Sequence, residues 1–558
     1  MRPHRGSPDN EAASPTGQSA RGVTAPKTIG VIGAGTMGAG IAQLGAQSGA
    51  RTLLFDLDPE ALARGLASAR TGIAKLVEKG RLEGDAEEIG SRLETVSSLE
   101  DLADCELIIE VAPERLELKH EIFALLSQIA PNAVLASNTS SIPITAIATA
   151  AADPSKVVGL HFFNPAPLMK LVELIAAVQS SPESLALARA AGEAMDRRVI
   201  DAYDGPGFLV NRCNRPFGLE ALQLLQNQIS DVETIDRILR CAGFRMGPFE
   251  LQDLVGIDVG FEVMKSMSDL TFGEPRWQPS RLSARMVSAG FYGRKSGRGW
   301  YAYKDGKQVR EPDPPAPEAG GGDGLVVIAG ELMLAYELRD LAESAGWQVA
   351  GPEEAEGEIP YLLVDCGHDA GEGIALQGAP QAILVADSSL HQLDPGGTST
   401  GFHALPRLAP GGMVELTSGS GTTDEAKKRT ERFFATLGLH TAWVGDAPGL
   451  VLGRMICQVI NECAFALQEG ATSSASDVDD GMMLGLNHPR GPLAWADEIG
   501  LDHVLMVLDG LRAELGEERY RAAPLIRQMV SEGRIGVATG EGFFTYEHEH
   551  DENCDHEH

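Results

Sequence analysis

The chain of 558 residues lacks three features that would assign it to common classes of protein. Its seven cysteines have no regular spacing, which argues against a disulfide framework and favours reduced thiols in a cytoplasmic protein. It contains no apolar run long enough to cross a bilayer. Lys and Arg total 46 against 79 Asp and Glu, and the resulting net charge of −33 argues against nucleic acid or an anionic membrane surface as a partner.

Both ends of the chain lack the patterns of folded segments. Residues 1–26 contain Pro, Ser, Gly and Arg but no apolar core of a signal peptide, so we interpret them as a disordered leader. Residues 547–558 interleave histidines with acids, a composition that can bind zinc or nickel adventitiously. Because no ordered scaffold is predicted around these histidines, we predict no functional metal site.

The strongest positive signal is a glycine pattern between an apolar strand and a helix. Gly33 permits a tight turn, Gly35 allows backbone amides to approach a pyrophosphate, and Gly38 allows the helix to pack closely on its strand. Asp56 ends the next predicted strand, where its carboxylate can accept a hydrogen bond from a ribose 2′-hydroxyl and repel a 2′-phosphate. The segment therefore predicts a dinucleotide-binding domain with NAD as the cofactor.

The remaining patterns of the first half predict an α/β doubly wound sheet of Rossmann type followed by an all-α domain. Apolar strands at 107–111 and 133–136 flank a predicted helix at 116–129, and this alternation is typical of a parallel sheet. After a Gly-Pro-Gly break at 205–207, the pattern changes to long helices, the first of which is predicted over 208–227.

Five further motifs follow the glycine loop. They are S-N-T-S-S at 137–141, G-L-H-F-F-N-P at 159–165, K-L-V-E-L at 170–174, P-G-F-L-V-N-R at 206–212 and G-R-K-S-G-R-G-W-Y at 293–301. Together with the loop they resemble the 3-hydroxyacyl-CoA dehydrogenase family over about residues 27–304. The resemblance implies NAD-dependent oxidation of a (3S)-3-hydroxyacyl-CoA to the 3-oxoacyl-CoA, with 3-hydroxybutyryl-CoA or 3-hydroxyadipyl-CoA as substrate, in fatty-acid or phenylacetate catabolism.

The resemblance also implies roles for individual residues. His161 is expected to take the proton of the substrate's 3-hydroxyl, and Glu173 is expected to orient it. An imidazole paired with a carboxylate also suits this task on physical grounds, because the oxidation needs a base that titrates near neutral pH. Ser140 and Asn211 are expected to hold the substrate oxygen and shape the site beside the nicotinamide, and Asn164 to position the histidine or the cofactor.

Further contacts are implied outside these motifs. Arg70 and Lys75 lie in a basic stretch at 64–81 that would approach the phosphates of coenzyme A in this family, although a solvated helix face is the competing interpretation. The stretch around Glu114 departs from the family's more usual Glu-Asn pair. The expected cofactor contacts are Gly33, Gly35, Met37, Gly38, Asp56, Glu114, Lys119, Asn164 and Lys295, and the expected substrate contacts are Ser140, Lys119, Arg70 and Lys75.

The second half resembles a degenerate copy of the first. His403 and Glu415 keep the twelve-residue separation of His161 and Glu173. Asp387-Ser388-Ser389 resembles Thr139-Ser140-Ser141, which also suggests descent from a whole dehydrogenase unit. Other positions have lost their chemistry. We expect Glu331 and Leu334 at the second and third glycine positions, Gly453 opposite Asn211 and Ala538 opposite Lys295. We therefore interpret the second copy as catalytically inactive.

These patterns predict seven segments. They are a disordered leader (1–26), an NAD-binding Rossmann domain (27–204), a helical dehydrogenase domain (205–304), a linker (305–323), a degenerate Rossmann-like domain (324–444), a second helical domain (445–546) and a His- and acid-rich tail (547–558). Single-copy members of the family dimerise through the helical domain, so the two helical domains are expected to form an internal pseudo-dimer, and a homo-oligomer stays open.

Two other functions stay open. One is an NAD-dependent dehydrogenase of a free hydroxy acid or sugar acid, which a requirement for coenzyme A would separate from the first interpretation. The other is a non-enzymatic NAD-binding protein, which would bind the cofactor without turning over any substrate.

Overall fold

The computed structural model describes residues 23–355, 357–367 and 378–546. Nearly all of the predicted leader and the whole of the predicted His-rich tail lie outside the described residues. No helix among the described residues is long and apolar enough to span a membrane. No cluster of three or more His, Cys, Asp or Glu side chains that could hold a metal occurs in this part of the chain.

The described residues form two compact units. The first unit comprises 23–212 together with 469–486, and the second unit comprises 213–468 together with 487–546. The first unit therefore includes a short segment that the sequence analysis assigns to the second copy.

The first unit is built on an eight-stranded sheet. Its strands are β1 (Thr28–Ile32), β2 (Arg51–Phe55), β3 (Leu93–Thr95), β4 (Leu107–Glu110), β5 (Val134–Ser137), β6 (Val157–Phe162), β7 (Leu171–Ala176) and β8 (Arg198–Ala202). Their order is β3-β2-β1-β4-β5-β6-β7-β8, and every pair is parallel except β6 and β7. The inner strands are buried along nearly their whole length, as expected for a parallel sheet covered by helices on both faces.

Seven helices follow these strands. They are α1 (Thr36–Gln47), α2 (Pro59–Glu78), α3 (Ala86–Ser91), α4 (Leu116–Ile129), α5 (Ile144–Ala148), α6 (Pro182–Ala194) and α7 (Val210–Cys213). Asp58 caps α2 by accepting a hydrogen bond from the Glu60 amide, and Pro59 occupies the first turn, where its missing N–H costs nothing. The predicted α/β doubly wound fold is confirmed.

The second unit contains a second sheet. Its strands, after a hairpin of β9 (Ala302–Lys304) and β10 (Lys307–Val309), are β11 (Leu325–Ala329), β12 (Gln348–Ala350), β13 (Leu362–Asp365), β14 (Gln381–Leu384), β15 (Thr400–His403), β16 (Met413–Ser418) and β17 (His440–Trp443). In the described residues its order is β12-β11-β13-β14-β15-β16-β17. This order repeats that of the first sheet without a counterpart of β3, and β15 and β16, the counterparts of β6 and β7, are again antiparallel.

The helices of the rest of the chain complete the two units. They are α8 (Arg215–Gln226), α9 (Val232–Cys241), α10 (Pro248–Val255), α11 (Ile257–Leu270), α12 (Arg281–Ser288), α13 (Met333–Ser344), α14 (Leu390–Leu393), α15 (Asp424–Thr436), α16 (Leu452–Gln468), α17 (Ala475–Leu486), α18 (Pro492–Ile499), α19 (Leu501–Leu515) and α20 (Pro524–Ser531). The helix predicted over 208–227 is wrong as a single element, because α7 and α8 are separated at Asn214. Pro216, which follows, fits only the first turn of a helix.

Helices from both halves of the chain pack together inside the second unit. Arg454 of α16 is buried and donates to Glu220 of α8 and, at 2.7 Å, to the hydroxyl of Tyr520. The Tyr520 hydroxyl donates to Glu220 at 2.9 Å. These contacts pair the buried guanidinium with a carboxylate, which is the condition for keeping charge buried, although Nη1 of Arg454 has no hydrogen-bond partner among the described residues.

Candidate active site

The glycine loop joins β1 to α1 and leaves room at one point only. An added Cβ at Gly33, whose φ is +103°, would lie 2.8 Å from the carbonyl oxygen of Val111, and one at Gly38 would lie 1.8 Å from the carbonyl oxygen of Gly33. At Gly35 an added Cβ would meet nothing within 4 Å. Gly33 and Gly38 are therefore required by the fold, whereas Gly35 faces open space at the start of α1.

This open space suits an anion. Gly35 is the N-cap of α1, offers no side-chain acceptor to the first turn, and no acidic residue follows there. The N–H groups at that end of the helix are available to a pyrophosphate. Met37 is half-buried and packs on the apolar core of the sheet.

Asp56 lies beside the same loop. Its Oδ2 accepts a hydrogen bond of 2.7 Å from the Ala34 amide, and its Oδ1 accepts one of 2.9 Å from the Asp58 amide. The carboxylate is thus held at the end of β2, next to the turn that would hold a pyrophosphate. The residues present fit NAD, because the loop supplies backbone donors and Asp56 supplies an acceptor for a ribose hydroxyl.

A buried histidine and glutamate face each other across β6 and β7. The antiparallel register pairs His161 with Glu173, and the distance from His161 Nδ1 to Glu173 Oε2 is 2.7 Å. The other oxygen, Oε1, accepts hydrogen bonds from the amides of Leu209 and Val210 at 3.0 and 2.8 Å. Both oxygens of the wholly buried carboxylate are therefore satisfied, and its orientation is fixed.

The second nitrogen of His161 points to a hydroxyl. Its Nε2 lies 3.0 Å from the Oγ of the exposed Ser140, while the rings of Phe163 and Phe208 lie 4.9 and 5.6 Å from the imidazole. With Nδ1 donating to Glu173, Nε2 is left as the acceptor. The arrangement is that of a general base whose free nitrogen reaches an accessible hydroxyl.

A chain of charges lies behind Ser140. The ammonium group of the buried Lys119 is 2.7 and 2.9 Å from the two oxygens of Glu110 and 3.5 Å from Glu114. Glu114 in turn accepts from the hydroxyl of Thr139 and from the Ser140 amide at 3.1 Å. These contacts fasten the turn that carries the Ser140 hydroxyl.

The electrostatics of Glu114 follow from those contacts. Burial raises the pKa of its carboxyl, but hydrogen bonds from Thr139 and Ser141 and the charge of Lys119 outweigh burial, so the pKa lies below its usual value. The carboxylate therefore stays ionised and keeps its hold on the turn.

Sequence reasoning missed Glu110. It is wholly buried and also accepts hydrogen bonds of 2.6 Å from the Ala112 amide and the Ser137 hydroxyl. The available signal is that Glu110 is the lone charged residue at the end of the apolar strand β4. A buried carboxylate at that edge of the sheet needs a cation, and Lys119 supplies it.

The structure also gives the locations of three other expected site residues. Asn211 is the half-buried second residue of α7, directly after Val210. Asn164 is exposed and precedes a cis peptide bond to Pro165. Lys295 belongs to the second unit, where its ammonium pairs with Asp258 at 2.7 Å.

Arg70 and Lys75 are both exposed on α2, and Arg70 donates to the Leu93 carbonyl at 3.2 Å. The same helix approaches the glycine loop at Gly65, where an added Cβ would lie 2.6 Å from the carbonyl oxygen of Ala34. The expected roles of these residues, like those of Lys119 and Lys295, stay predictions.

The strand register of the second copy corrects two expected matches. Gly330, with φ of +102°, follows β11 as Gly33 follows β1, so Leu332 and Ala335 occupy the second and third glycine positions, and the assignment to Glu331 and Leu334 is wrong by one residue. A leucine in place of Gly35 fills the space that a pyrophosphate needs.

The second correction concerns Ser140. Pairing of β14 with β15 and of β5 with β6 places Ala386 in register with Ser140, so the match to Asp387-Ser388-Ser389 is wrong. Asp204 and Asp446 accept from the amides of Ile144 and Leu390 and give the same alignment. His403 therefore has no counterpart of the Ser140 hydroxyl.

In the second copy, the histidine at the corresponding position, His403, contacts a different side chain. His403 faces Glu415 in the same register, but its Nδ1 lies 3.9 Å from the carboxyl, and its Nε2 lies 3.3 Å from Nε2 of His503 on α19. An added Cβ at Gly453, the counterpart of Asn211, would lie 2.2 Å from the His403 ring. The buried His403 imidazole is thus enclosed by α16, which carries Gly453, and α19, which carries His503.

Two models of one family match the chain. The NAD-binding domain of 3-hydroxyacyl-CoA dehydrogenase matches residues 28–205, and the C-terminal domain of 3-hydroxyacyl-CoA dehydrogenase matches 207–303 and again 449–546. The chain belongs to the 3-hydroxyacyl-CoA dehydrogenase family. It is accordingly an NAD-dependent dehydrogenase, as the motifs predict.

Members of this family with similar sequences support the assignment. A 3-hydroxyadipyl-CoA dehydrogenase of Escherichia coli (strain K12) is 33% identical over 512 residues, which are 90% of this chain and 97% of that protein. A probable 3-hydroxybutyryl-CoA dehydrogenase of Deinococcus radiodurans is 41% identical over 277 residues, 49% of this chain and 99% of that protein. A crystal structure of 3-hydroxybutyryl-CoA dehydrogenase from Escherichia coli K12 matches with a TM-score of 0.76 and 32% identity over 91% of this chain and 99% of that one.

Proposed function

We propose that this dehydrogenase oxidises a (3S)-3-hydroxyacyl-CoA to the 3-oxoacyl-CoA at the site formed by His161, Glu173 and Ser140. The observation that carries the proposal is the continuous hydrogen-bonded line from Glu173 through both nitrogens of His161 to the exposed Ser140 hydroxyl. A substrate hydroxyl placed beside Ser140 would lie within reach of the one imidazole nitrogen that accepts a proton.

The residues divide the work of the reaction. NAD, when bound, accepts the hydride from carbon 3 of the substrate. His161 Nε2 takes the proton of the 3-hydroxyl, and Glu173 stabilises the imidazolium that results, since its carboxylate lies 2.7 Å from Nδ1. Ser140 holds the substrate oxygen within reach of Nε2, and Asn211, which follows Val210 on α7, would help to shape the site beside the nicotinamide.

The substrate proposal is a short-chain or dicarboxylic acyl-CoA. The names of the relatives point to 3-hydroxybutyryl-CoA and to 3-hydroxyadipyl-CoA. Arg70 and Lys75, exposed on α2, would supply local positive charge for the phosphates of coenzyme A in a chain whose net charge is −33. A cytoplasmic location belongs to the same proposal.

We also propose that the second copy acts as a built-in dimer partner. The packing of α16 on α8 through Arg454, Glu220 and Tyr520 supports it. A chain ending near residue 310 should then dimerise or aggregate. A truncated chain that stayed monomeric and fully active would contradict this proposal.

The substrate proposal is tested by NADH oxidation at 340 nm in the reverse direction. Acetoacetyl-CoA, 3-oxoadipyl-CoA and free acetoacetate are offered separately to the wild type and to His161→Ala. We expect turnover of at least one CoA ester and its collapse in the variant. Turnover of the free acid alone would favour a free hydroxy-acid dehydrogenase, and NAD binding without any turnover would favour a non-enzymatic protein.

A further inference from the structure

Helix α17 comes from the second copy but belongs to the first unit. It packs on β7 and β8. Arg198 of β8 pairs with both Asp477 and Asp480 of α17. The segment that leads into α17 is fastened as well, since Glu469 accepts a hydrogen bond of 2.6 Å from the fully buried Arg212. The residue after Asn211 is therefore held by a carboxylate of the second copy.

Two glycines give α17 its close approach. An added Cβ at Gly481 would lie 2.9 Å from Cγ2 of Val210. An added Cβ at Gly485 would lie 3.3 Å from Cγ1 of Val210 and 3.4 Å from Cε1 of Phe163. Residues four apart share one face of a helix, so this face of α17 lies directly against both side chains.

Val210 and Phe163 are the residues that fix the candidate base. The Val210 amide donates to Glu173 at 2.8 Å, and Glu173 receives His161 Nδ1 at 2.7 Å. The Phe163 ring lies 4.9 Å from the imidazole. A displacement of Val210 would therefore reach His161 through two hydrogen bonds.

We propose that α17 is a positioning element for the reaction, and that Gly481 is the positioning residue at which the second copy sets the orientation of the Glu173 and His161 pair. This inference rests on the proposed function in taking His161 as the base. It gives the second copy a part in catalysis that its own histidine does not supply.

The test is Gly481→Ala in the full chain. Alanine favours the helix over glycine, so α17 should remain folded while its methyl group displaces Val210. We expect kcat to fall about tenfold, because small misplacements of a catalytic group are costly, with KM for NAD changed less than twofold. The matched control is Gly260→Ala on α11, where an added Cβ meets nothing within 4 Å and kcat should not change.

Two further measurements separate positioning from general damage. Val210→Ala removes Cγ2, the atom nearest to the new methyl group at 2.9 Å, and leaves Cδ1 of Ile200 at 3.2 Å, the end of a side chain that can turn aside. The double variant should therefore recover kcat to within about threefold of the wild type, and failure of rescue would overturn the inference. In protein labelled with ¹⁵N-histidine, the His161 Nδ1 proton signal should shift in Gly481→Ala and return in the double variant.

An unshifted signal together with an unchanged kcat would also overturn the inference. The labelled signal does not depend on turnover, so it tests the positioning of His161 even if no CoA ester is oxidised. In that case the absence of turnover in the wild type would count against the proposed function alone.

Discussion

The two histidine–glutamate pairs occupy the same register of two similar sheets but differ in geometry and in the groups that surround them. In the first copy His161 and Glu173 are 2.7 Å apart, and the free nitrogen reaches an exposed hydroxyl. In the second copy the corresponding distance is 3.9 Å, and Nδ1 of His403 has no hydrogen-bond partner among the described residues. The same pair of residues at the same place in a fold is thus not by itself a catalytic site.

Burial without a close partner sets the charge state of the second pair. It raises the pKa of Glu415 to about 8 despite hydrogen bonds from two backbone amides, and it lowers the pKa of His403 well below its usual value, helped by His503. Near pH 7 both partners of this second pair are therefore predominantly neutral. A neutral carboxyl stabilises no imidazolium, so the chemistry is lost while the packing is kept.

The two copies also differ at the loop that would hold the pyrophosphate of the cofactor. Gly330 keeps the turn after β11, but Leu332 stands where Gly35 leaves open space. The turn is required by the fold, whereas the open space is required only by the cofactor. A copy without a bound NAD would need the turn but not the open space.

The largest expected effect comes from moving that leucine into the first copy. Gly35 has φ of −64°, which leucine adopts without strain, so Gly35→Leu should fold and fill the pyrophosphate position. We expect NAD affinity to fall by about 100-fold or more in isothermal titration calorimetry, because the close backbone contacts to the anion are blocked. Leu332→Gly is the control and should leave the stoichiometry at one NAD per chain. A second NAD in that variant would contradict the comparison.

The next effect compares the two carboxyls. Glu173→Gln should lower kcat by about 10²-fold or more, because an amide neither stabilises the imidazolium nor fixes its tautomer. Glu415→Gln should leave kcat within twofold of the wild type, since it replaces a largely neutral carboxyl by a neutral amide. Steady-state rates with the preferred CoA ester measure both. Equal losses in the two variants would mean that the copies are functionally coupled.

A smaller effect is expected behind Ser140. Glu110→Gln removes the charge that holds Lys119, so the ammonium group should turn toward Glu114. The stronger attraction of Lys119 for Glu114 should weaken the hydrogen bonds that Glu114 accepts from the turn carrying Ser140. We expect kcat to fall about tenfold, as for a modest displacement of a reacting group. Glu106→Gln, an exposed carboxylate that precedes the same strand, is the control. Equal rates in both variants would show that the buried charges serve stability only.

The smallest effect is a dependence of stability on pH. Glu415 has a raised pKa in the folded protein, so its contribution is complete below the ordinary glutamate pKa near 4.5 and is lost as the pH rises toward about 8. The melting temperature of Glu415→Gln minus that of the wild type should therefore increase by about 3 °C or more when the pH is raised from 5 to 8. His403 has the opposite sign, since protonation on acidification below about pH 6.5 favours unfolding.

Scanning calorimetry at both ends of that pH range measures the difference between Glu415→Gln and the wild type. A difference in melting temperature that stays constant with pH would show that Glu415 titrates normally in the folded protein.

Much of the fold was accessible from the sequence because its signals are local. The Gly33 turn, the helix over 116–129 and the strand over 107–111 are each encoded by neighbouring residues. The pairing of His161 with Glu173 was predicted from the family motif and is confirmed as a contact. Their roles in catalysis stay predictions.

The parts that sequence reasoning missed depend on contacts between distant segments. Glu110 reads as one acid among many until Lys119 is seen to neutralise it. The match of Ser140 to Ala386 follows from strand register, which similar short runs of serine obscured. The approach of Gly481 to Val210 joins residues 271 positions apart, and the only local signal is a pair of glycines one turn apart in α17.

The most direct test of the account is the turnover of His161→Gln and His403→Gln measured side by side with the same CoA ester and normalised to folded protein. If the first histidine alone is the base, His161→Gln should lose a factor of about 10² to 10⁴ in kcat, and His403→Gln should stay within about twofold of the wild type. A large loss in His403→Gln with activity retained in His161→Gln would contradict the assignment of the reaction to the first copy.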